Sequence, residues 1–494
     1  MFALHAKDSY KVGHIHQYPK GTTEIYSNLT ARSGKYSNVK SEGIIYIPLF
    51  NKFAVDYLIN EWNNSFFNKP KEKVIHKYKR RVENLLNKKV DISHISTLHD
   101  LGYLPIEIKQ LPEGSFVPYN VPCMTIRNTL PEFYWVTNML ETVISCEFWQ
   151  PITSATTYFY FRKLFLKYAE ETGANKDFTA YQGHDFSMRG MPGRAAAETS
   201  GAAVLLAGSK GTDMLSAIDV VEEYYSADSD VDEIGGSVDA TEHSVMCTGS
   251  KDGELDTFKH LLTDVYPEGP LSVVSDTWDF WKVVTEFLPE LKDLILSRNG
   301  KLIIRPDSGD PVDIICGDTD ITSEVGSPEY KGLIECLWDT FGGTINDKGF
   351  KELHPNIGAI YGDSINYDRA ERILEGLKKK GFASSNIVLG LGSYSFQGVT
   401  RDTHGFAIKA TNSIINGKSE PIFKDPKTDS GLKKSAKGYL MVTDTPKGYQ
   451  LVQEVDKNQE RYGCLETVFL NGKLIKTSTF QEIRERVEKY YETI

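Results

Sequence analysis

No cysteine pair with CxxC spacing occurs in this chain: Cys123, Cys146, Cys247, Cys316, Cys336 and Cys464 stand at least 20 residues apart. That spacing argues against a zinc ribbon or a thioredoxin-type motif, and a reduced chain is the simplest reading. No apolar run approaches the roughly 18 residues of a membrane span, and the opening MFALHAKDSYK lacks the apolar core of a signal peptide. A cytoplasmic location with no membrane partner is therefore expected. Basic residues are in deficit, 56 against 67 acidic ones, and the formal charge of -11 weakens attraction to nucleic acid, which is not expected as a partner. An anionic ligand would need a local basic pocket. HExxH is absent, His14-x-His16 has no third ligand nearby, and there is no GxxxxGK[ST] loop, so neither a catalytic zinc centre nor a P-loop is expected. No repeat of 20–50 residues and no low-complexity tract is present. What is there is an ordinary globular mixture: 494 residues, 40% hydrophobic and 25% charged, or roughly three domains' worth of chain.

Residues 1–150 read as an α+β region. EIYSNL, GIIYIPL, PIEIKQL and PCMTIRN have strand character, and KEKVIHKYKRRVENLLN forms a helix with a charged outer face. Residues 151–404 change character. LSVVSD, KLIIRPDSGD, NIGAIYGDS and NIVLGLGS are short apolar runs, each followed by turn residues and a helical stretch, the sequence form of successive βα units. Asp276, Asp307 and Asp363 each lie just beyond such a run, where ligand sites of parallel sheets and barrels collect. Taken singly, each reads as the N-cap of the next helix; three together, one preceded by Arg305, shift the balance toward a site. Residues 405–494 return to antiparallel pattern, with hairpin turns at Asn416-Gly417 and Asn471-Gly472. Thr479 and Glu482 have capping-box spacing ahead of a final helix. The strand-rich N- and C-terminal regions are expected to pack together beside the βα region.

Several groups could carry chemistry. His184-Asp185-Phe186, followed by Arg189, offers a cation beside an aromatic ring, or simply a buried His–Asp pair. Lys210-Gly211-Thr212-Asp213 reads as a turn into a helix. Within Ser237–Ser244, Glu242-His243 places an imidazole beside a carboxylate, suited to nucleophilic or acid/base work. Arg305-Pro306-Asp307-Ser308-Gly309 combines a guanidinium fork, a carboxylate able to accept from ribose hydroxyls and a glycine turn. Gly390-Leu391-Gly392-Ser393 begins a dinucleotide fingerprint, but Ser395 occupies the third glycine position, which leaves an NAD-dependent dehydrogenase poorly supported. Glycine amides there could cradle one phosphate instead. Arg32, Lys35, Arg401, Lys409, Lys424 and Lys433 are further cations whose use depends on convergence in space.

Taken in order, Asp8-Ser9-Tyr10-Lys11, HDFSMRG from His184, KGTD from Lys210, SVDATEHS from Ser237, SVVSD from Ser272, IIRPDSG from Ile303, YGD from Tyr361 and Val399-Thr400-Arg401-Asp402 closely resemble the nicotinamide phosphoribosyltransferase family. The likeness continues through FKDP at Phe423 and VFLNGK at Val468. It implies a type II phosphoribosyltransferase: an irregular α/β barrel with a strand-rich domain built from N- and C-terminal segments. It further implies a homodimer with shared sites that joins nicotinamide to phosphoribosyl pyrophosphate in NAD salvage. Magnesium would be carried on the substrate phosphates, and ATP hydrolysis would be coupled through a phosphohistidine. By this resemblance Phe186, with Tyr10 of the second subunit, would stack on the pyridine, and Asp213 would accept from its carboxamide. His243 would be phosphorylated, with Glu242 and Asp276 orienting or balancing it. Arg305 would touch base and phosphate, Asp307 the ribose hydroxyls, and Gly362, Asp363 and Gly392 the 5'-phosphate. Arg189, with Arg32, Arg401 and Lys409 of the second subunit, would hold pyrophosphate or ATP phosphates, and Ser237 and Ser272 join the substrate-binding set. A nicotinate enzyme and a non-catalytic nucleotide-binding relative are the alternatives. Three departures bear on substrate binding: Gly392-Ser393-Tyr394 replaces a glycine run, Ala407 replaces a phosphate-contacting Ser, and Ser187-Met188 replaces Gly-Tyr.

Overall fold

A computed structural model describes residues 2–318, 322–424 and 435–492; Lys433 lies outside them. The chain forms two compact units. The first comprises Met1–Thr156, Asp219–Ala227 and Val399–Lys489, the second Thr157–Ile218, Asp228–Gly398 and Tyr490–Ile494.

In the first unit a seven-stranded sheet interleaves early and late segments. Its order is Lys418–Pro421, Ala407–Ile415, Thr22–Thr30, Pro122–Asn128, Ile106–Gln110, Glu466–Leu470 and Lys473–Leu474. All neighbours are antiparallel. Both Asn-Gly pairs close two-residue hairpins. Asn416 and Gly417 have φ of 49° and 77°, and Asn471 and Gly472 have 48° and 79°, the left-handed pair whose twist matches the flanking strands. Helix Lys71–Leu86 buries Val74, Tyr78 and Val82, one stripe at helical spacing, and turns its lysines and arginines outward. Burying each such apolar side chain contributes about 1.5–3 kcal/mol. The final helix, Phe480–Tyr491, opens with a reciprocal capping box: Thr479 N donates to Glu482 Oε2 (2.9 Å) and Glu482 N to Thr479 Oγ1 (3.2 Å).

The second unit is built on parallel strands in the order Gly183–Asp185, Ile387–Leu391, Ile357–Tyr361, Leu302–Arg305, Leu271–Val274 and Asp239–Ala240. Leu271–Val274 and Ile357–Tyr361 are buried at every position, as expected of strands covered on both faces. Helix Tyr367–Lys379 covers one face with Ala370, Ile373, Leu374 and Leu377. Parallel bridges Asp185–Thr212 and Gly211–Gly236 carry the pairing from one edge strand round to the segment entering the other. The sheet thereby curls into an irregular α/β barrel. Among the described residues no helix is long and apolar enough to cross a membrane.

Candidate active site

The strand-end aspartates are not helix caps. Asp276, Asp307 and Asp363 each follow their strand by two residues, and in every case the cap lies three residues further on. Asp279 accepts from Lys282 N, Asp310 from Val312 N and Asn366 from Arg369 N. The strand-end carboxylates are left to face the C-terminal rim of the barrel. There His243 Nε2 lies 3.3 Å from Asp276 Oδ1, and Asp307 N donates to Asp276 Oδ2 (3.0 Å). Burial raises the pKa of Asp307, as do Asp276 and Asp363, while Arg305 and His243 oppose them. Arg305 reaches Thr241 O (3.0 Å), and its Nε lies 3.3 Å from Asp307 Oδ2. Three carboxylates, a guanidinium and a half-exposed imidazole thus share one rim. Glu242 is exposed and accepts from the Ser244 hydroxyl.

Two cavities, of about 480 and 390 Å3, adjoin this rim and share Phe186, Asp213 and Arg305 as walls. The first is polar, with Arg189, Asp307, Gly362, Asp363 and Gly392 around it. The second includes Ser237, Ser272, Ile303, Ile360 and Val388. Asp213 is no helix cap either. Its Oδ1 accepts from His184 Nε2 (2.8 Å) and Ser237 Oγ (2.5 Å). Burial works against its charge, but the hydrogen bond and charge of His184, with Ser237 and Arg305, lower its pKa. Phe186 is packed between glycines: a Cβ on Gly390 would lie 2.4 Å from its ring and one on Gly362 3.2 Å away. Only glycine at 390 leaves the ring room, which gives the broken fingerprint a steric purpose.

Tyr10, Arg32, Arg401 and Lys409 lie on the first unit and gather there. Tyr10 is exposed and feels the charge of Arg401. Lys409 has its pKa lowered by burial and by Arg32, Lys424 and Arg401, while Glu141 opposes the shift. Arg32 Nε donates to Gly405 O (2.8 Å).

The sequence pairs His184 with its neighbour Asp185, but the structure pairs it with Asp213. Adjacent strand residues face opposite sides, and a partner 29 residues away leaves no local signal. Tyr181 and Tyr394, which line the two cavities, also lie outside the set read from sequence. Among the described residues no three His, Cys, Asp or Glu side chains are close enough to hold a metal by themselves.

Residues 181–472 match the model of the nicotinate phosphoribosyltransferase (NAPRTase) family, and residues 2–108 match that of the nicotinamide phosphoribosyltransferase N-terminal domain. The chain is 49% identical over 500 residues to a nicotinamide phosphoribosyltransferase of Acinetobacter baylyi, covering 99% of this chain and 98% of that one. It is 35% identical to one of Mycoplasma pneumoniae, over 86% and 92% of the two chains. In fold it is similar to a nicotinate-nucleotide pyrophosphorylase from Pyrococcus furiosus (TM-score 0.56, 14% identity, 99% and 95% of the two chains covered). Human nicotinic acid phosphoribosyltransferase is also similar (TM-score 0.53, 13% identity, 98% and 93% covered). Two family models and near full-length relatives agree with the barrel and its rim, and the chain belongs to the nicotinamide phosphoribosyltransferases, within the nicotinate phosphoribosyltransferase family.

Proposed function

We propose that the chain transfers the phosphoribosyl group of phosphoribosyl pyrophosphate to nicotinamide, giving nicotinamide mononucleotide and pyrophosphate for NAD salvage. The observation that carries this reading is Asp213, an acceptor held by His184 and Ser237 beside the Phe186 ring where the two cavities meet. A pyridine stacked on Phe186 would offer its amide N–H to that carboxylate, whereas a pyridine acid would bring a second negative charge there. The C1–O bond to pyrophosphate breaks, the electron pair leaves with pyrophosphate, and the pyridine nitrogen forms the new bond to C1. That nitrogen is already nucleophilic and needs no base. Positive charge develops on the ribose in the transition state, and Asp307 beside it is suited to stabilise that charge and to accept from the hydroxyls. Arg189 and Arg305 would meet the phosphates.

The donor set suits magnesium: hard carboxylate oxygens at Asp307 and Asp363, too few to hold the ion without substrate phosphates. When bound, magnesium would neutralise charge on the departing pyrophosphate. His243, half-exposed and 3.3 Å from Asp276, is read as the acceptor of a phosphoryl group from ATP. Its phosphorylation would couple hydrolysis to synthesis. The exposed Tyr10 and the Arg32–Arg401–Lys409 cluster are read as contributions of a second subunit to each site, which makes the active form a homodimer.

The test supplies phosphoribosyl pyrophosphate, magnesium and each pyridine in turn, with and without ATP, and identifies the nucleotide. Nicotinamide mononucleotide should form and should be stimulated by ATP. In His243→Ala the stimulation and an acid-labile label from γ-labelled ATP should both vanish. Label persisting in that variant removes His243 from the coupling role, and a product made from nicotinate alone overturns the substrate.

A further inference from the structure

We propose that His184 is a specificity-determining positioning residue, and that the joint charge of His184 and Asp213 sets how strongly a pyridine amide is chosen over a pyridine acid. The inference rests on the reading of Asp213 as the group that meets the pyridine substituent. An ionised carboxylate can only accept, so the 2.8 Å bond to Asp213 Oδ1 puts the imidazole hydrogen on Nε2. The ring has little freedom to turn away. A Cβ on Gly211 would stand 3.0 Å from its Nδ1, its centroid lies 4.8 Å from that of Phe186, and its side chain is 12% exposed. One imidazole therefore braces the stacking ring and holds the amide reader.

With a neutral imidazole the pair carries one negative charge, and a pyridine carboxylate is repelled. A second proton, taken from solvent onto Nδ1, makes the pair neutral overall without breaking the Nε2 bond. Repulsion of the acid then falls, while the amide keeps its acceptor. Among the described residues the other charged and titratable groups about the ring are Asp185, Arg305, and Tyr181 with its Lys210–Glu233 ion pair. None of them hydrogen-bonds to the ring, so proton uptake by the imidazole is the step that changes the charge of the pair. Base selection should therefore depend on pH.

The experiment measures kcat/KM for nicotinamide and for nicotinate between about pH 8 and pH 5.5 in the wild type, His184→Gln and His184→Phe. Ionisation of the common substrate cancels in the ratio. In the wild type the nicotinamide-to-nicotinate ratio should fall by about tenfold as pH is lowered. Gln reaches as far as Nε2 with an N–H donor but takes up no proton, so His184→Gln should keep the high ratio and lose the pH slope. His184→Phe removes the donor and the titrating group together, so it should also lose the pH slope, and near pH 8, where only the lost hold on Asp213 differs, its ratio should lie below that of His184→Gln. A wild-type ratio that stays flat, or a His184→Gln slope equal to that of the wild type, overturns the proposal. Absence of nicotinamide mononucleotide from the wild type at every pH would instead overturn the functional reading on which it rests.

Discussion

Asp213 accepts two hydrogen bonds on one oxygen, from groups on two different segments, so its carboxylate is fixed before any pyridine arrives. Two unit charges about 4 Å apart repel by roughly 4 kcal/mol at an effective dielectric near 20. Solvent at a carboxylate that is 51% exposed reduces this. A third of that value still separates two substrates about tenfold. Asp213→Asn should therefore move the kcat/KM ratio toward nicotinate by about tenfold, while nicotinamide loses a charge-assisted bond. A ratio that does not move removes Asp213 from the reading role. The types of residue at this site were legible in the sequence; their partners were not. His184 and Asp185 are adjacent in the chain but face opposite sides of a strand, and the purpose of Gly390 appears only when the Phe186 ring is seen against it.

At the scale of elements, the division of labour between strand end and helix cap predicts two separable phenotypes. Asp310→Ala should lower stability by about 1 kcal/mol, the usual cost of losing a cap, and spare most of the activity. Asp307→Ala should spare stability and reduce kcat by tenfold or more. Denaturation midpoints and steady-state rates on both proteins decide this, and the reverse assignment of effects would contradict it. Spacing alone left Asp276, Asp307 and Asp363 open to either role, because strand-end and cap positions carry the same residue types. The hairpins and the capping box were legible because their whole geometry is local: Asn-Gly supplies both left-handed residues, and Thr479 and Glu482 satisfy each other. Barrel closure through Thr212 and Gly236 was not legible, since two single bridges leave no strand pattern.

Glu113 lies in the first unit, fully buried, accepting from Phe50 N and the Tyr225 hydroxyl. Burial pushes its pKa up to about 7, against the donors' pull. Between the unfolded value, near 4.3, and about 7, the folded state binds more protons than the unfolded one, so this residue's contribution to stability falls as pH rises through that window. The difference between wild-type and Glu113→Gln denaturation midpoints should vary across that window and level off on either side. A pH-independent difference would show that Glu113 titrates alike in both states.

For the whole molecule, the proposed dimer predicts complementation. Tyr10→Ala and Asp307→Ala proteins, each impaired alone, should recover activity when mixed, because exchange of subunits places both defects in one of two sites and leaves the other intact. Demonstrated exchange without recovery would contradict shared sites. The central claim is that the rim and its two cavities choose a pyridine amide as acceptor for the phosphoribosyl group. It is tested most directly by competition: equimolar nicotinamide and nicotinate with limiting phosphoribosyl pyrophosphate near neutral pH, the products separated and quantified. Nicotinamide mononucleotide should exceed nicotinate mononucleotide by about tenfold or more; an excess of the nicotinate product, or no pyridine nucleotide at all, would contradict the claim.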